Sequence, residues 1–112
     1  MTVYVTIPQP KVPEGSSFTA TAYFRDGETA SAPSALKYRV DDVTNNIALT
    51  DWTSVSPGES VSISITSTEN KIQAEWNRYE KRRLTVSAEP DATNQTRGFV
   101  DWTVENLGWL IT

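Results

Sequence analysis

The stretch SVSISIT, residues 60 to 66, alternates hydroxyl and apolar side chains without a break. A period of two is the geometry of an extended strand, whose successive side chains leave opposite faces; a helix would scatter Val61, Ile63 and Ile65 around its circumference. One face belongs against a core and the other in water, so this strand needs a sheet with a covered inner side. The same period recurs along the chain. VYVTI turns Val3, Val5 and Ile7 inward. SFTATAYFRDG buries Phe18, Ala20, Ala22 and Phe24 and sends out Thr19, Thr21, Tyr23 and Arg25. LKYRVDD buries Leu36, Tyr38 and Val40, and LTVSAE buries Leu84, Val86 and Ala88.

Turn chemistry separates these runs. Pro13-Glu14-Gly15, Asp26-Gly27, Ala32-Pro33-Ser34, Asn45-Asn46, Pro57-Gly58 and Pro90-Asp91 supply a fixed or a tolerated positive φ. Asn94-Gln95-Thr96 matches the glycosylation pattern but reads as a polar turn. About seven short strands punctuated in this way predict an all-β chain, a single antiparallel β-sandwich. At 112 residues the chain has the size of one domain, 1–112.

One segment departs from the period. In ENKIQAEWNRYEKRR, residues 69 to 83, Ile72, Trp76 and Tyr79 are spaced four and three apart. This spacing predicts a short helical turn near residues 70–79 that caps one end of the core with its aromatic side chains. The run EKRR that follows, residues 80 to 83, reads as a solvated rim beside a strand.

The triplet Asp-Trp-Thr occurs twice, at residues 51–53 and 101–103, with little similarity around it. It is a strand fragment used twice rather than a repeat. Its middle residue points away from the other two, so Trp52 and Trp102 are both expected in the core, where a domain this small needs large aromatic groups.

Composition narrows the chemistry. The chain has no cysteine and no histidine, which removes disulfides, thiol nucleophiles, Ser-His and Cys-His dyads and most transition-metal ligand sets. A paired-carboxylate site is disfavoured because Asp41 and Asp42, adjacent in a strand, face opposite ways. Asp26, Glu28, Asp41, Asp42 and Asp91 lie near strand ends but have no recognisable calcium-loop spacing. Neither a metal nor another cofactor is expected, and the chain is read as no enzyme. With a net charge of −4 and scattered charges, neither a nucleic acid nor a membrane surface is indicated as a partner. The opening MTVYVTIPQP lacks the pattern of a secretory signal or a spanning segment, which predicts synthesis in a cytoplasm.

From about residue 14 to 106 the layout resembles an immunoglobulin-like or fibronectin type III-like sandwich. LTVSAEPDATNQTRGFVDWTV is similar to the last hairpin of fibronectin type III domains. The immunoglobulin cysteine pair is missing, and Leu84 stands where the pattern places its corner tyrosine, so the corner exists only if Tyr79 supplies it. PEGSSFTATAYFRDG, APSALKYRVDD, LTDWTSV, the serine-rich strand and YEKRRLTVSAE together resemble small virion proteins of tailed bacteriophages. That resemblance implies a non-enzymatic structural protein made in the host bacterial cytoplasm and placed in the virion. It would be a capsid decoration or a head or tail component, in contact with other virion proteins or with further copies of itself. The alternative is a recognition module that binds a glycan or a host surface.

The ending ENLGWLIT gathers Leu107, Trp109, Leu110 and Ile111 with no polar punctuation. Chain ends are usually polar and frayed. Residues 107–112 are therefore expected either to dock on a neighbouring subunit or to fold back on their own domain.

Overall fold

The computed structural model describes residues 1–108, more than half of them in strands. In chain order the strands are β1 (Thr2–Thr6), β2 (Lys11–Pro13), β3 (Phe18–Asp26), β4 (Thr29–Ala30) and β5 (Ala35–Asp42), then β6 (Ile47–Val55), β7 (Ser60–Ile65), β8 (Tyr79–Glu89) and β9 (Thr96–Glu105). These nine exceed the seven or so expected; β2 and β4, of three and two residues, are too short to display a period.

Two sheets result. In the four-stranded sheet β3 is central, with β1 on one side and β7 and β4 also pairing with it. The five-stranded sheet has the order β2-β9-β8-β5-β6. Every pairing is antiparallel except that of β2 with β9. The turns carry the backbone conformations their residues allow: Gly27 and Asn46, between β3 and β4 and between β5 and β6, have φ of 60° and 56°.

The inner faces are those the alternation predicts. Ala20, Ala22, Phe24, Ile63 and Ile65 from one sheet join Leu36, Val40, Leu84, Val86, Ala88, Trp102 and Val104 from the other in a single buried cluster. Val3, Val5, Ile7, Phe18 and Tyr38 pack against it. Trp102 lies edge-on to Phe18, ring centres 5.2 Å apart, and its Nε1 donates to Asn70 Oδ1 at 2.7 Å. The indole is thus buried with its one polar group satisfied.

The two sheets meet at β9. A Cβ at Gly98 would stand 2.7 Å from the carbonyl oxygen of Val3, so a bare glycine lets β1 cross the part of β9 that β2 leaves uncovered. Farther along, β2 pairs with residues 103–105 of the same strand. β6 ends the five-stranded sheet, and its outer edge has no strand partner among the described residues.

Three expectations need correction. No helix forms near residues 70–79. One helix-type bond, Asn70 N–H to Thr66 O at 3.3 Å, lies earlier, where Thr66 and Glu69 bond reciprocally as at a helix start. The rest of the segment is irregular, with one turn at residues 75–76 closed by Asn77 N–H to Ala74 O at 3.0 Å. Ile72 does pack on the core, but Trp76 is 76% exposed and Tyr79, the first residue of β8, is exposed too. Trp52, unlike Trp102, is outside the core. The β5–β6 register shifts twice, and Thr53 pairs with the inward Tyr38, so Trp52 takes the outer face.

Candidate interaction surfaces

EKRR is not a solvated rim: its alternate members Glu80 and Arg82 are wholly buried. They share the parity of Leu84, Val86 and Ala88 along β8, and their charges survive burial because polar groups of β5 and of the flanking loops hold them. Arg82 Nη2 pairs with Glu80 Oε1 at 3.0 Å and Arg82 Nη1 with the buried Asp42 Oδ1 at 3.3 Å. Arg82 also donates to the carbonyls of Glu69 (2.9 Å) and Lys71 (2.7 Å). Glu80 accepts from the N–H groups of Gln73 and Ala74, both at 2.9 Å, and from the side-chain amides of Asn45 and Asn77. Burial raises the Glu80 pKa, but these donors outweigh it and bring it down to about 2. Side chains of β8 thereby satisfy backbone groups of residues 69–74 that a helix would otherwise have paired internally. This cluster fastens the loop and exposes no reactive group.

The outer face of the five-stranded sheet is charged and aromatic. Its rows follow from the register. Asp41, Arg83 and Asp101 are cross-strand neighbours on β5, β8 and β9; Arg39, Thr85 and Phe99 form the next row, and Lys37, Ser87 and Arg97 the one after. Arg83 grips Asp101 through Nε (2.7 Å) and Nη2 (3.0 Å) and stacks on Phe99 with its Cζ 4.3 Å from the ring centre. Arg39 grips Asp41 in the same two-pronged way, at 2.7 to 3.2 Å. These bonds to Asp101 and Asp41 push the pKa of each arginine above its ordinary value. Beside Trp52 stand Lys37 Nζ at 4.9 Å, Arg97 Cζ at 5.0 Å and Arg39 Cζ at 5.6 Å from the ring centre. A cleft of about 460 Å³ opens where β5 and β6 shift register, with Arg39, Asp41, Asn46, Ile47 and Arg83 on its walls.

The outer face of the four-stranded sheet is a field of hydroxyls. Thr6, Thr21 and Ser62 form one cross-strand row and Thr19 and Ser64 another, while Tyr4 and Tyr23 stand side by side with Ser60. Tyr4, Tyr23 and Arg25 line a shallow depression of about 300 Å³.

At one end of the molecule Lys11 Nζ lies 4.7 Å above the Tyr79 ring and 3.5 Å from its hydroxyl. Among the described residues that hydroxyl makes no bond to a backbone carbonyl of the kind a fibronectin-type corner has. Of the residues expected to bind a partner, Leu107 is exposed and donates its N–H to Glu14 Oε1 at 2.9 Å. Trp109, Leu110 and Ile111 lie outside the described residues. The candidate calcium ligands do not converge: Asp41 is held by Arg39 and Asp42 by Arg82, while Asp91 accepts from Thr93 and Asn94 within its own turn. Asn94, of the glycosylation pattern, belongs to that turn.

Sequence reasoning missed Lys37, Arg39, Trp52, Arg97 and Phe99 as one surface. The outward parity of Lys37, Arg39, Arg97 and Phe99 was legible; the lateral register that joins them was not. No protein-family model matches the chain, and no curated protein matches it.

Proposed function

We propose that this chain is a non-enzymatic structural protein of a tailed-bacteriophage virion, a capsid decoration or a head or tail component that acts through contacts with other virion proteins. It is made in the host bacterial cytoplasm, and its scaffold is an immunoglobulin-like or fibronectin type III-like β-sandwich. The scaffold reading is supported by β1, β3 and β7 in one sheet facing β9, β8, β5 and β6 in the other, the division those folds use. The contact reading rests on the outer face of the five-stranded sheet, where aromatic rings and paired charges form a broad presented surface. Its Arg39 and Arg83 are committed to Asp41 and Asp101 rather than aimed at a common reacting atom. Aromatic and arginine side chains are the groups that anchor protein interfaces.

The experiment is quantitative mass spectrometry of purified particles from the phage or prophage that encodes the chain. A copy number comparable with that of the major capsid protein makes it a decoration. The copy number of a single ring places it on the head-to-tail axis. Absence from the particle overturns the reading.

Trp76 favours a second reading, a recognition module for a glycan or host surface, because it presents an indole to solvent from a loop. That reading expects soluble glycans to quench tryptophan fluorescence in the full chain and not in its Trp76→Ala variant.

A further inference from the structure

The sheet edges are guarded unequally. β2 is three residues long and ends in Pro13. β6 is interrupted by two register shifts, and Asp51 Oδ1 accepts the N–H of Trp52 at 2.8 Å. Short length, proline and bulges all discourage a further strand. β7 has none of these devices. It pairs with β3 in unbroken register over all six of its residues and has no second strand partner among the described residues. Residues 60–68, SVSISITST, contain no charge, proline or glycine.

Which backbone groups of β7 face its open side follows from one bond. Phe24 N–H donates to Glu59 O at 3.1 Å, so the residues bonded to β3 are those an even number of positions from Glu59: Val61, Ile63 and Ile65. The N–H and C=O groups of Ser60, Ser62 and Ser64 therefore point to the open edge, and their side chains stand exposed on the hydroxyl face. Beyond Ile65 the edge closes: Thr66 N–H donates to Glu69 Oε1 at 2.8 Å, and its carbonyl accepts from Asn70 N–H at 3.3 Å.

The open stretch is chemically the same read in either direction. Under a two-fold axis through Ser62, Ser62 meets itself, Ser60 meets Ser64 and Val61 meets Ile63. Hydroxyl lies opposite hydroxyl and apolar opposite apolar, no charge meets its like, and each serine pair exchanges both of its backbone bonds. A shift of one residue would set outward side chains against inward ones. A shift of two brings in either Thr66, whose N–H is taken, or Gly58, which lies outside the strand.

We infer that β7 is a self-association edge: two copies of the chain pair antiparallel through Ser60, Ser62 and Ser64 about a two-fold axis at Ser62, joining their four-stranded sheets into one. The inference rests on the contact function proposed above and names a second copy as one partner. Pairing leaves no β7 edge open. It makes the two hydroxyl faces continuous and sets the two charged faces side by side on the opposite side of the dimer.

A pairing this short lies at the low end of interface sizes, so the test is sedimentation equilibrium of the full chain up to ~0.5 mM, where a dimer of micromolar affinity is populated. Ser62→Lys sets like charges opposite each other at the axis, from an exposed position that leaves the fold intact, and should weaken the dimer ~fivefold or more. Thr6→Lys, in the same cross-strand row but two strands away, should change it by less than about twofold, as expected for a screened distant charge. The chain has no cysteine, so single replacements report the register without background. Ser62→Cys should give a disulfide-linked dimer on mild oxidation, since Cα atoms of such a pair lie about 5.5 Å apart. Ser60→Cys or Ser64→Cys alone should not, because each stands four residues, about 14 Å, from its own counterpart; a mixture of the two should. A chain that is monomeric throughout the concentration range overturns the inference. So does a dimer untouched by Ser62→Lys, or an equal yield of cross-link from all three single variants. The particle composition is measured independently. A chain found in particles that stays monomeric refutes this inference alone, and one that dimerises but is absent from particles refutes the virion reading alone.

Discussion

Gly98 is the residue on which the closure of the molecule along β9 depends, because the Val3 carbonyl occupies the space a side chain would need. Replacing it with alanine forces backbone against Cβ, and overpacking of this kind costs ~1–3 kcal/mol, to be read as a lower urea midpoint of Gly98→Ala. Arg82 poses the opposite problem. Arg82→Met would leave Glu80 and Asp42 buried without their cation, for which a loss of ~3–5 kcal/mol is expected in the same measurement. Glu80 links this cluster to pH. Its folded pKa of about 2 lies below the ordinary 4.5, so on acidification the unfolded chain takes up the proton first. The stability it contributes is complete above about pH 4.5 and drains away as the pH falls toward about 2. Urea midpoints over that range should fall in the wild type, and the Glu80→Gln variant should lack that part of the fall.

At the level of elements, β8 is the strand whose reading was half legible. The parity of LTVSAE runs back without interruption through Arg82 and Glu80, so their inward direction was available in the sequence. A charge on a core face, however, contradicts the hydrophobic criterion that defines the face. What reconciles the two is a set of partners from β5 and from the loop before β8, which only folding assembles. The same loop misled the helical reading: the spacing of Ile72, Trp76 and Tyr79 fits one helix face, but Glu80 captures the N–H groups of Gln73 and Ala74 and turns the chain instead. The two tryptophans therefore differ sharply in expected energetics. Trp102→Ala should cost ~3–5 kcal/mol by emptying the core, whereas Trp76→Ala should stay within ~0.5 kcal/mol of the wild type in chemical unfolding.

As a whole the molecule is elongated, with a radius of gyration of 15.2 Å against the ~13 Å of a compact chain of this length, and extents of 51 × 23 × 19 Å. A slab of this shape presents two broad faces, one of hydroxyls and one of charge and aromatic rings, and little concave volume. Such a form suits contact along its sides or its ends. The end that carries Lys11 and Tyr79 also carries Leu107 and Gly108, the first two residues of the segment 107–112, whose N–H groups donate to Glu14. Deleting those six residues should leave the unfolding midpoint unchanged, because Leu107 is exposed, and should abolish particle binding measured by sedimentation. Full binding by the truncated chain would remove the docking role.

The sequence by itself determined which residues of most strands look inward and where the chain turns, because both depend on properties of adjacent residues: the two-residue pleat and the φ that glycine, proline and asparagine permit. The tertiary structure alone decided which sheet each strand joined, and with it the fate of the two Asp-Trp-Thr triplets. Their local parity is the same, with Trp set against Asp and Thr. Pairing of Thr53 with the inward Tyr38 sets Trp52 outward among three cations, while pairing of Trp102 with the inward Arg82 of β8 keeps it in the core. Register between distant strands follows from packing of the whole, so no short stretch of chain contains it.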